Sequence, residues 1–182
     1  MKTLFLCLGL LLPVYNFAQD CMIPTENGDF HIQEVVQMDS HSIHQLYRNS
    51  LLTLTEILKT PEEHIEMTNW EEGIILARFA AKVERKTFLQ HNSHHFYFSF
   101  RLEFKDQRYR MTINYLEHVH LLAQQFLRSC PNKITSNRCG GALNGIPKKE
   151  WNKIRCSAVD KVAEFKDTFY RKLSNYLGQS NW

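Results

Sequence analysis

The chain has 182 residues, with 22 Lys and Arg against 19 Asp and Glu, and a formal net charge of +3 at pH 7. So even a balance excludes a surface built on excess cations for nucleic acid, and the length fits a single domain.

The chain opens like a leader. Lys2 supplies a positive start, Leu4 to Val14 is an apolar run, and Asn16-Phe17-Ala18 ends on a small residue suited to cleavage. Residues 1–18 therefore read as a secretory signal peptide, whose apolar run is too short to span a bilayer. Gln19 and Asp20 precede Cys21 where a lipoprotein would carry small residues. No later segment is apolar enough to span. These features predict an exported protein, periplasmic or secreted, with no membrane span and no nucleic-acid partner.

Once Cys7 leaves with the leader, Cys21, Cys130, Cys139 and Cys156 remain. An even number in an oxidising compartment points to two disulfides, with three pairings open. The favoured pairing closes a short loop with Cys130–Cys139 and ties the N-terminus to the last helix with Cys21–Cys156. A zinc site is the alternative, but no Cys-x-x-Cys spacing supports it.

Residues 19–29 form a polar lead-in with Pro24 and an Asn27-Gly28 turn signal. Phe30, Ile32, Val36 and Met38 alternate as in a strand, with Glu34 interrupting the row. Ser42 and Gln45 have the spacing of a capping box. The helix after them places Ile43, Leu46, Tyr47, Leu51, Leu54, Ile57 and Leu58 on one stripe and ends at Thr60-Pro61. His64 to Trp70 reads as a strand. A three-residue loop, Glu71-Glu72-Gly73, would pair Met67 with Ala77 and Ile65 with Phe79, and would put Gly73 at a left-handed position.

Gly73 to Glu117 is the organising stretch, read as three antiparallel strands. In the first, Ile75, Ala77, Phe79, Ala81 and Val83 share a core face, while Arg78, Lys82 and Glu84 point away. Thr87 to His95 connects it to the next. Phe96, Phe98, Phe100, Leu102 and Phe104 then alternate with Tyr97, Ser99, Arg101, Glu103 and Lys105, the mark of a half-buried strand. Tyr109, Met111, Ile113 and Tyr115 repeat the pattern. A two-residue turn at Asp106-Gln107 would set Phe104 against Tyr109 and Glu103 against Arg110. After this meander, His120 to Arg128 is expected to be a short helix and Cys130 to Pro147 a loop. Lys148 to Leu177 is a long helix with Trp151, Ile154, Ala158, Val162, Phe165, Phe169, Leu173 and Tyr176 on one stripe, stopped by Gly178. The predicted fold is α+β, in the order β-α-β-β-β-β-α: a curved antiparallel sheet with the helices on one face. It forms one domain over residues 30–177, with a cysteine-containing loop at 130–147 and a tail at 178–182.

Val35-Val36, Leu46-Tyr47-Arg48, Gly73-Ile74-Ile75 and Phe104-Lys105-Asp106-Gln107-Arg108-Tyr109-Arg110 resemble the domain-of-unknown-function family 4468. The resemblance covers roughly Phe30 to Glu117 and, more loosely, the final helix. It implies a fold like the TATA-binding protein and a place among small exported bacterial proteins; it implies no catalytic residues. Gln107 stands where a hairpin glycine is usual, and the loop from Cys130 to Cys139 is an addition.

Candidate chemistry is sparse. His91, His94 and His95 lie close together, and neutral imidazoles are good ligands for zinc, copper or nickel. His94 and His95 would point to opposite faces of a strand, and no carboxylate is near in sequence, so polar loop residues are the plainer reading. His118 and His120, beside Glu117, form a similar pair. No Gly-x-Ser-x-Gly is present, the cysteines are better used in disulfides, and Gly140, Gly141 and Gly145 lack phosphate-loop spacing. No cofactor is implied. Arg78, Lys82, Tyr97, Arg101 and Arg110 would share the outer sheet face, where Glu84 and Glu103 are countercharges. The first functional expectation is a non-enzymatic exported domain that binds an envelope protein or other envelope component there. The second is a carrier holding a small hydrophobic ligand between the last helix and the sheet, behind Phe98, Phe100 and Phe169. The third is a metal-dependent hydrolase using the histidines.

Overall fold

The computed structural model describes residues 21–86, 91–122, 127–130, 134 and 146–179. The expected leader lies outside them, as do Cys139 and the side chain of Cys130, and with them the expected Cys130–Cys139 bridge. The architecture is α+β: a seven-stranded sheet carries helices on one face.

A short strand, β1 (Thr25–Glu26), turns through Asn27 and Gly28 into β2 (Asp29–Gln37). Both turn residues have positive φ, 52° and 83°, as a two-residue hairpin of the mirror-image type requires. Helix α1 (Ile43–Ile57) starts at Ser42, whose hydroxyl accepts from the Gln45 N–H while the Gln45 side chain accepts from the Ser42 N–H. The reciprocal pair satisfies two N–H groups that the first turn leaves open. Pro61 begins a single further turn, α2 (Pro61–His64), because its fixed φ suits a first helical position. Strand β3 therefore starts at Ile65 and runs to Asn69.

The meander is longer than its sequence pattern. β4 (Ile74–Lys86), β5 (His91–Lys105) and β6 (Arg108–Leu122) are laddered along their lengths. His91 to His95 belong to β5 and not to a connection, since β4 pairs with all of them and β6 with Asn92 to His95. Of the residues expected to form a helix from His120 to Arg128, those at 120–122 instead end β6 and those at 127–128 open β7 (Leu127–Cys130). The first half of β6 pairs with β2 and the second half with β7, so the ladder's demand for partners overrides local helix propensity.

The hairpin register is the expected one: Phe104 faces Tyr109, and Glu103 faces Arg110. Gln107 has φ 60°. Its strain is offset by the β2–α1 connection, which donates to the Gln107 carbonyl from Met38 N–H (2.7 Å) and accepts from Gln107 N–H at His41 (3.0 Å). Asp106 accepts from the Ile43 N–H at 3.1 Å, tying the same turn to the start of α1. A bulge at Tyr97/Phe98 admits one extra residue of β6.

The β3–β4 register departs from the expected three-residue loop. Met67 faces Leu76 and Asn69 faces Ile74, with a shift between Ile65 and Met67, so the connection is four residues, Trp70 to Gly73. Asn69 accepts from the Glu72 N–H, and Trp70 leaves the strand to pack on His44 and Tyr47 at 4.1 and 4.9 Å. These contacts outweigh the apolar matching of Met67 with Ala77. Gly73 is left-handed as expected, at φ 63°.

The core lies between the sheet and helices α1 and α3 (Lys148–Gln179). Phe96, Phe98, Phe100, Leu102, Met111, Ile113, Trp151, Val162, Phe169 and Leu173 are all fully buried. α3 runs over Ala77 and Ala81, with Phe165 stacked on Phe79 at 4.1 Å. It continues through Gly178 and does not stop there. Cys21 and Cys156 form a disulfide that ties the start of the described chain to α3.

A Cβ at Gly73 would lie 3.1 Å from the Phe104 carbonyl oxygen and 3.3 Å from Ile43, whereas one at Gly28 would meet nothing within 4 Å. Both substitutions by alanine carry the left-handed penalty of about 1–2 kcal/mol. Only Gly73→Ala adds crowding, so it is expected to lower the urea midpoint more than Gly28→Ala does; equal losses would contradict the packing described.

Candidate outer-face binding surface

Side chains alternate across a strand, so the burial that fixes the core face of β4, β5 and β6 also fixes their outer face. The structure brings Arg78, Tyr97, Arg101 and Arg110 together there, with Lys82 further along β4. Arg101 faces Thr112, Arg110 faces Glu103, and Tyr97 faces Ala80, flanked by Arg78 and Lys82. The Arg78 guanidinium lies 5.9 Å from the Tyr97 ring centre. None of these cations is bare: Glu66 is 3.3 Å from Arg78, Glu84 is 2.6 Å from Lys82, and Glu103 lies between Arg101 (3.2 Å) and Arg110 (2.6 Å). The hydrogen bond from Arg110 holds the Glu103 carboxyl below the usual carboxylate range; Arg101 adds to this, and partial burial works against it.

Exposed apolar side chains, which sequence reading missed, border this network. Val35, 56 % exposed, faces Arg110 across β2 and β6; Met67, 40 % exposed, faces Leu76; Leu116 projects at the bulge. The outward Met67 depends on the β3 register and Leu116 on the extra residue in β6, neither of which shows in periodicity; Val35 follows from the alternation of β2.

The histidines part company. His94 is buried and its Nδ1 is 3.1 Å from Nε2 of buried His118; the rings stack at 5.3 Å, and His118 packs on Phe96 and Trp151. His95 is on the outer face, with Nε2 3.0 Å from the Ser93 hydroxyl. Burial, then Lys82, pushes the His95 pKa down, against Glu84. The His91 and His120 side chains lie outside what the structure describes. Among the described residues no three metal-ligating side chains converge.

The space directly behind Phe98, Phe100 and Phe169 is filled. Phe98 packs on Phe79 and Tyr115, and Phe100 on Phe169 at 5.1 Å and on Phe165 at 5.3 Å. Rings in contact leave no ligand chamber behind Phe98, Phe100 and Phe169.

Glu34, which interrupts the apolar row of β2, has a defined place. It turns to the core side at the sheet's margin, where Lys166 and the Tyr170 hydroxyl of α3 each donate to it at 2.5 Å. Burial raises its pKa, but the two hydrogen bonds and the Lys166 charge outweigh it and leave the carboxyl below the usual range. Burial, with Glu34 adding its charge, raises the Tyr109 hydroxyl.

Sheet order, one-sided helices and hairpin register define an α+β fold like that of the TATA-binding protein. Residues 33–118 match the family described as "Domain of unknown function (DUF4468) with TBP-like fold". A solved TBP-like protein from Parabacteroides distasonis ATCC 8503 is similar at 14% identity and TM-score 0.57, over 84% of this chain and 97% of that one. A DUF4468 family protein from Bacteroides ovatus ATCC 8483 is similar at 12% identity and TM-score 0.53, over 81% and 90%. Both likenesses concern the fold. No curated protein matches the chain.

A depressed carboxyl contributes stability above its unfolded value, about 4.3 for Glu, and loses that contribution as pH falls through the folded value. Glu34→Gln is expected to cost about 1 kcal/mol at pH 7. The difference between variant and parent should shrink below pH 4 in urea titrations; a difference that does not change with pH would contradict the role given to the Glu34 charge.

Proposed function

We propose that the protein is a non-enzymatic domain, exported to the periplasm or secreted, that binds an envelope protein through the outer face of its sheet. The observation that carries this reading is the character of that face. Among the described residues no element packs over it, although α1 and α3 pack on the opposite face. Paired charges around Tyr97, bordered by Val35, Met67 and Leu116, give an apolar-and-polar mixture typical of protein interfaces. Because each arginine already has a carboxylate, a small free anion would compete with Glu66 or Glu103, whereas a protein surface can engage both signs at once. Export is supported by the leader-like N-terminus, by the Cys21–Cys156 disulfide, and by the fact that no described helix is long and apolar enough to cross a membrane.

The double variant Arg101→Glu/Arg110→Glu places like charges around Glu103 on exposed positions and leaves the core alone. In an affinity pull-down from the native envelope, it is expected to lose partners that the parent protein recovers, while circular dichroism and melting stay close to the parent. Unchanged recovery would overturn the proposal.

A further inference from the structure

The edge of β4 has a free stretch with a cleft beside it. β3 pairs with β4 only from Ile74 to Ala77, then gives way to α2. Phe104 N–H donates to the Gly73 carbonyl at 2.8 Å, which sets the alternation of the β4–β5 ladder. Odd-numbered residues of β4 bond toward β5, and the even-numbered ones turn their N–H and C=O to the other side. At Ile74 and Leu76 those groups meet β3. At Ala80 and Lys82, both exposed, no described strand meets them. Next to this edge, between the end of α1 and α3, is an open cleft of about 490 Å³ with apolar walls including Leu58, Phe79, Ala81 and Phe165. Its rim carries Lys59, Lys82 and Lys161 against Glu164. Lys82 and Lys161 are engaged by Glu84 and Glu164; Lys59 has no ion-pair partner among the described residues.

We infer that this edge and cleft take up an extended segment of a partner protein as an added antiparallel strand, with an apolar side chain in the cleft and acidic residues at the ends of the segment. Main-chain bonds supply affinity in such strand addition, and pockets for alternate side chains supply specificity. The geometry fixes the pattern. Partner residues opposite Ala80 and Lys82 exchange both main-chain bonds and share the outer face. The residue between them, opposite Ala81, points to the cleft. The net positive rim favours acidic flanks. This surface is separate from the Arg101–Glu103–Arg110 network and does not depend on it.

The test uses the mature protein, its amides labelled with nitrogen-15, and the blocked peptide acetyl-Glu-Val-Thr-Phe-Thr-Val-Glu-amide. Three analogues accompany it: central Phe replaced by Ala, both Glu replaced by Lys, and both Thr N-methylated. The expected result is slower hydrogen exchange at the Ala80 and Lys82 amides on binding, and affinity weakened about tenfold or more in each analogue. Ala80→Pro removes one outward N–H without touching the β5 ladder and should weaken binding similarly. Arg101→Glu/Arg110→Glu should bind as the parent does. The N-methyl analogue keeps the test decisive if Ala80→Pro fails to fold. The proposal is overturned by equal binding of the N-methylated peptide, by no binding up to about 1 mM, or by loss of binding in the double arginine variant. It is also overturned if Ala80 and Lys82 are already protected in the free protein, which would mean the chain covers its own edge. Protection that grows with protein concentration alone would identify a second copy as the occupant, and would overturn it too.

Discussion

Five side chains of β5 govern this molecule. Phe96, Phe98, Phe100, Leu102 and Phe104 lose essentially all contact with water between the sheet and helices α1 and α3. Burial of one such side chain stabilises by about 1.5–3 kcal/mol. Because the strand period is two, burying this row commits every intervening residue to the opposite face. Slippage by one residue would expose five large apolar groups and bury Arg101 and Glu103. The ionic surface is thus a geometric consequence of the aromatic one.

Around that row the other elements behave as fasteners. α3 covers it, with Trp151, Phe165 and Phe169 meeting the sheet rings at 5.8 Å or closer. The disulfide holds the N-terminal end of the described chain to α3, and Glu34 ties β2 to the same helix through Lys166 and Tyr170. The Asp106-Gln107 turn is locked to the β2–α1 connection and to α1. Each fastener joins segments distant in sequence, so each depends on the aromatic layer having formed.

Wherever a pattern was local and repeated, it could be read directly. The alternation from Phe96 to Tyr115, the Glu103–Arg110 pairing, the Ser42–Gln45 cap and the apolar stripe of α3 all follow from spacing alone. What was hidden depends on partners far along the chain. His91 to His95 are polar and carry no strand signal, yet two neighbouring strands hold them extended. The β6–β7 pairing replaces a helix for the same reason. Glu34 looked like a flaw in a strand because its two donors come from α3. On the candidate surface, the cations were legible from alternation. The pairing of Arg78 with Glu66 and the outward Met67 were not, since both follow from where β3 sits, and Leu116 was not, since it follows from the extra residue in β6.

Hydroxyl-radical footprinting of the folded protein tests the two-faced sheet most directly. On this account Met67, Tyr97 and Leu116 react readily, while Phe98, Phe100, Met111 and Phe169 are shielded until the protein unfolds. Fast labelling of Phe98 and Phe100 in the native state, or shielding of Tyr97 and Met67 in the isolated protein, would contradict it.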